Sequence, residues 1–201
     1  EQLSALDRAL EYARRAGEPA ETAGILLSAT SAIVRGPTPV VEAIARAERT
    51  MVEFRGNRGV ESYMFHALAH MRARLGEFGA AREASDRYRS FLLDTGQLIG
   101  YWRSAEVRFD VEMLAGDMDT AQAVAEEAYS HLQKKGARWP YLGAFLAQAN
   151  LALGRSADAA EIAEVAASSA IAVERGLGLG VLARIRVAEG DEAAADPHVR
   201  A

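Results

Sequence analysis

Apolar residues recur three and four positions apart along most of this chain, in stretches separated by short polar breaks. After Gly116, residues Ala121, Val124, Ala125, Ala128, Tyr129 and Leu132 fall on one side of a helix, with Gln122, Glu126, Glu127, Ser130 and Gln133 opposite. Such spacing makes an apolar stripe of 3.6-residue period. No segment alternates apolar and polar residues long enough to mark a strand. The pattern predicts helices over 2–16, 18–35, 39–55, 58–75, 78–94, 97–115, 119–135, 140–153, 156–174 and 178–189.

Glycines punctuate these stretches. Gly76, Gly116, Gly154 and Gly190 follow apolar helical runs at spacings of 40, 38 and 36 residues, each with alanine five positions on (Ala81, Ala121, Ala159, Ala195). A left-handed glycine ends a helix, and the chain restarts at once. Start signals follow: Asp117 and Asp119 near a positive helix end, a hydroxyl cap at Ser156, and Thr38-Pro39 with proline at the first helical position. Connections this short make successive helices antiparallel. Each hairpin keeps an uncovered apolar face that the next one buries. The expectation is one all-α domain over 1–201, a stack of about five helical hairpins.

Composition narrows the function classes. Half of the 201 residues are hydrophobic (50%) and a quarter charged (25%), as in ordinary globular proteins. A net charge of -5, with pairs such as Arg14-Arg15 and Lys134-Lys135 set among acids, argues against nucleic-acid binding. The chain has no cysteine, which excludes disulfides and thiolate metal sites and fits a reducing compartment. The most apolar stretch, 162–173, contains Glu164 and falls short of the ~20 residues of a membrane span. No signal peptide opens the sequence, and Glu1 in place of Met suggests a segment of a longer protein.

The run Leu75-Gly76-Glu77-Phe78 with Ala81 resembles the turn between the two helices of a tetratricopeptide repeat. The period here exceeds that family's 34 residues, Phe65, Ala105 and Gly143 stand where its early tryptophan would, and its closing proline is missing. The resemblance implies a right-handed α-α superhelix, a tetratricopeptide-like solenoid. Residues 10–17 (Leu-Glu-Tyr-Ala-Arg-Arg-Ala-Gly), 35–46 with their Gly36-Pro37-Thr38-Pro39 turn, and Leu114-Ala115-Gly116-Asp117 look like the helical region of large bacterial signalling ATPases. In that family such repeats are joined to an ATPase domain and to a class III adenylate/guanylate cyclase or LuxR-type DNA-binding domain. The likeness implies a bacterial, cytoplasmic protein acting in signal transduction or transcription regulation, and gives this segment no cyclase or ATPase motif.

Counting back from each glycine by the family's groove positions selects Tyr63, His66, His70 and Arg74, then Arg103, Glu106 and Asp110, then Tyr141 and Gln148, then Arg184. An aromatic, mixed-charge stripe suits recognition of a peptide, a partner protein or another domain of the same chain. Trp102, Trp139 and Phe145 are also natural core fillers between hairpins, Trp139 above all. His66 and His70, four apart, could present two imidazoles to a metal with Glu106 and Asp110, but HExxH is absent. Histidine–carboxylate hydrogen bonding is the preferred reading, with no metal or cofactor. Gly176-Leu177-Gly178-Leu179-Gly180 lacks the strand and spacing of a dinucleotide loop and reads as a loose turn between helices. No Walker lysine, GxSxG or other catalytic set occurs. The expected function is therefore non-catalytic, a protein-interaction and regulatory module. The alternative is a small-molecule sensor whose stack encloses a pocket near Tyr141 and Phe145. The segment 191–201 begins another hairpin without its second helix, an exposed end that could pair two copies.

Overall fold

A computed structural model describes residues 2–17, 19–137 and 139–191. Among the described residues the structure is all helical, with no strand, and it divides into two compact units, residues 1–97 and 98–201. The first contains α1 (Gln2–Ala16), α2 (Pro19–Arg35), α3 (Val40–Glu53), α4 (Arg58–Arg74) and α5 (Phe78–Asp94). The second contains α6 (Leu98–Arg103), α7 (Ala105–Ala115), α8 (Met118–Lys134), α9 (Pro140–Ala152), α10 (Ser156–Ala167) and α11 (Ala172–Ala188). No helix is long and apolar enough to cross a membrane. The expectations placed on Ala195 and on an exposed terminal hairpin at 191–201 fall almost wholly on residues 192–201, outside the described residues.

The four glycines read as helix stops all have positive φ, and Gly17, Gly56, Gly96 and Gly136 join them at the ends of the intervening helices. In six of these turns the amide after the glycine donates back to a carbonyl five residues earlier. Glu77 reaches Arg72 at 2.9 Å, Gln97 reaches Leu92 at 2.8 Å, and Asp117 reaches Glu112 at 2.9 Å. Ala137, Arg155 and Asp191 repeat the closure on Leu132, Asn150 and Arg186. These are Schellman closures, which satisfy carbonyls that the helix end leaves open. Asn57 and Asp117 cap the following helices by accepting from Val60 and Thr120. Ser156 instead lies inside α10, one residue past the cap position held by Arg155.

In the first unit α4 packs against α2, α3 and α5, and α1 packs on α2. In the second, α9 is enclosed by α7, α8, α10 and α11. Small residues let the backbones approach: Ala81, Ala121 and Ala159, each five past its glycine, are 0% exposed. Larger side chains fill what remains. Ile33, Val34 and Met71 join α2 to α4, and the Phe109 and Phe145 rings stack at 4.7 Å between α7 and α9.

Two stretches depart from the sequence reading. The helix expected over 97–115 is broken at Ser104, whose amide donates to Gly100 and whose hydroxyl donates to the Tyr101 carbonyl at 2.6 Å. The glycine run 176–180 is no turn: it lies inside α11, and the real turn is 168–171. There the Ser169 hydroxyl donates to buried Glu174 at 2.5 Å and accepts the Ile171 amide. Glycine is required at 178 for closeness. A Cβ would stand 2.4 Å from the Ala167 nitrogen and 2.7 Å from the Ala163 carbonyl oxygen.

Candidate functional site

Most sides of α4 and α9 are covered, so the strips they leave partly open are narrow. On α4 one such strip carries Tyr63 and His66, half-buried, then His70, buried, and exposed Arg74. On α9 the residues from 142 to 150 are buried apart from Gln148, which shares its side with half-buried Tyr141. On α6 and α7 the corresponding side carries exposed Arg103 and half-buried Glu106 and Asp110, and on α11 exposed Arg184. The residues selected by counting from the glycines lie on α4, α6, α7, α9 and α11, the four of α4 in the first unit and the other six in the second. α9 packs against both α7 and α11.

The histidines are held by one another and by a tyrosine. Their Nε2 atoms lie 3.3 Å apart, so one donates to the other, and the His66 ring stacks on Tyr88 of α5 at 5.0 Å with planes 14° apart. His66 is pushed down from 6.5 to about 3, by burial first and then by His70 and Arg35, and stays neutral at physiological pH. Among the described residues no group of three or more His, Asp or Glu side chains is arranged to hold a metal ion. Glu106 and Asp110 belong to the second unit.

In the second unit the Arg103 guanidinium lies 3.9 Å over the Trp139 ring, a cation–π contact linking α6 to the residue before α9. The Tyr141 ring meets Phe145 edge-on at 4.6 Å. Phe145, expected beside a sensor pocket, is core, filled against by Phe109 and Tyr141. Trp102 stacks on His131 of α8 at 4.1 Å. Burial raises the Tyr129 hydroxyl above its ordinary value, partly offset by its hydrogen bond with the Gln133 side chain.

No family model matches the chain, and no curated protein matches it.

Reasoning from sequence passed over Tyr88 and Asn150. Tyr88 sits on a second helix, and nothing in its spacing points to His66. Asn150 is 5% exposed with no hydrogen-bond partner for its Oδ1 among the described residues. The signal that could have found it is repeat position: four residues before the glycine the other first helices carry Arg72, Glu112 and Arg186.

Proposed function

We propose that this chain is a non-catalytic interaction module, its hairpins tetratricopeptide-like repeats of a right-handed α-α superhelix that take a partner protein, a peptide or another domain of the same chain. In the bacterial signalling setting implied by the sequence likeness, such a module holds or releases a catalytic or DNA-binding part. The observation that carries this reading is the strip on the first helices. α9 is covered nearly all round, yet Tyr141 and Gln148 stay partly open beside α7 and α11, which carry Glu106, Asp110 and Arg184. Rings supply contact area at low entropic cost, and flanking charges of both signs fix register. A bound partner would shift the module between states only by its differential affinity for them.

The test starts from a partner recovered with the full chain by in-cell crosslinking and then titrated calorimetrically. Arg184→Glu and Arg74→Glu, both at exposed positions, should each weaken that partner by about 1–2 kcal/mol while leaving the helical circular dichroism unchanged. Unchanged affinity in both variants would sink the groove reading.

A further inference from the structure

A trough lies on the second unit away from that strip, between α8 and α10, with α9 as its floor. It holds about 440 Å³ and is lined by Gln122, Glu126, Leu146, Asn150, Asp158 and Glu161 among others. The first unit has a smaller counterpart of about 310 Å³ over α4, lined by Leu68, Arg72, Ala80 and Glu83. Counted from the left-handed glycines, Gly76 and Gly154, these linings correspond: Leu68 to Leu146, Arg72 to Asn150, Ala80 to Asp158 and Glu83 to Glu161.

The two differ at Arg72 and around it. Over α4 the Arg72 guanidinium bridges two carboxylates, Glu48 of α3 at 2.8 Å and Glu77, just before α5, at 2.8 Å. Over α9 the equivalent of Glu48 is kept as Glu126, while asparagine stands in place of the arginine. At the same position before Gly116 and Gly190, Glu112 is bonded to Arg108, and Arg186 lies 3.1 Å from Glu189. Asn150 alone of these four has a buried oxygen without a hydrogen-bond partner among the described residues. A buried, unpaired acceptor is costly. The trough therefore keeps one of that site's two carboxylates as Glu126, sets Arg155 where Glu77 stands, and adds Asp158 in place of Ala80.

We propose that this trough takes an arginine side chain from a partner peptide, its guanidinium donating to Asn150 Oδ1 and Glu126. A planar fork of five donors matches an amide oxygen beside a carboxylate, which an ammonium does less well. The charge balance agrees, since Glu126, Asp158 and Glu161 outnumber Arg155 along the trough. At its far end the trough adjoins a cavity of about 610 Å³ beside Tyr129, Trp139, Pro140 and Val165, which gives the rest of a peptide an apolar seat. None of this depends on Tyr141, Gln148 or Arg184, so its failure leaves the groove reading standing.

The test titrates the full, isotope-labelled chain with acetylated, amidated pentapeptides carrying one arginine among glycine and serine. The same peptides with citrulline, and free arginine, are the comparisons. The Asn150 side-chain amide signals should move saturably with the arginine peptide, and citrulline, which keeps the shape without the charge, should bind at least about tenfold more weakly. Glu126→Gln and Asn150→Leu should each lose about tenfold or more. Asn150→Arg combined with Arg155→Glu rebuilds the set found around Arg72. It should melt no lower than the parent and no longer bind the peptide. Absence of a saturable shift overturns the proposal, as does equal binding of arginine and citrulline peptides or unchanged binding in Glu126→Gln and Asn150→Leu. Free arginine binding as tightly as the peptide overturns the peptide source.

Discussion

At the scale of single residues, burial and position decide what each side chain does. His66 shows this through protons. Its folded value of about 3 lies below the ordinary 6.5, so between those values the unfolded chain binds a proton that the native state does not. Its contribution is fully present above pH 6.5 and is lost as pH falls from there toward 3, at up to ~1.4 kcal/mol per pH unit. Urea midpoints at pH 7 and pH 4.5 should differ less in His66→Gln than in the parent. An equal drop in both would mean that His66 titrates freely. Gly178 makes the same point through space. Gly178→Ala puts a methyl within 3 Å of backbone atoms of α10, and backbone cannot yield as a flexible side chain can. It should cost about 2–3 kcal/mol by calorimetric melting, whereas Gly180→Ala, which meets nothing within 4 Å, should be neutral or stabilising.

At the scale of elements, the helices differ in how far they depend on neighbours. α7 carries Glu112, 0% exposed, bonded to Arg108 one turn back. Removing Arg108 takes from buried Glu112 a charge that offsets its desolvation. Arg108→Ala should therefore cost about 3 kcal/mol, and Arg108→Met with Glu112→Leu distinctly less, both read from denaturant unfolding. Helices α4 and α9, packed by neighbours on several sides, should show the slowest amide hydrogen exchange in their units, and α1, which packs on α2, faster exchange. The helices themselves were legible because the apolar period and the glycine stops agree. The errors are local. Ser104 sits in a stretch with full helical periodicity, and nothing in that period marks the break there. The glycines at 176–180 carry low helix propensity, yet α11 runs through them, and at Gly178 α10 demands closeness.

At the scale of the whole molecule, the excess of acids opposes binding to phosphate backbones. With a net charge of -5, the chain should give no anisotropy change with labelled duplex DNA at 150 mM salt, and saturable binding there would contradict the reading of its charge. Helix period made it legible that residues such as Tyr63, His66, His70 and Arg74, three or four apart, share one side of a helix. The choice of Tyr63, His66, His70 and Arg74 rested on the groove positions that the family resemblance implies.

The amino-acid sequence by itself determined the all-helical class, the hairpin rhythm and the stops between helices, because these rest on local backbone geometry and short-range periodicity. It also excluded disulfides and any membrane-spanning apolar run. Tertiary structure alone decided which side chains meet: His66 against Tyr88, Arg103 over Trp139, Gly178 against α10, and Arg72 between two carboxylates while Asn150 goes without. Those outcomes depend on the distance between helices far apart in sequence. That distance is set by the summed size of the side chains between them, a quantity no single stretch of the chain contains.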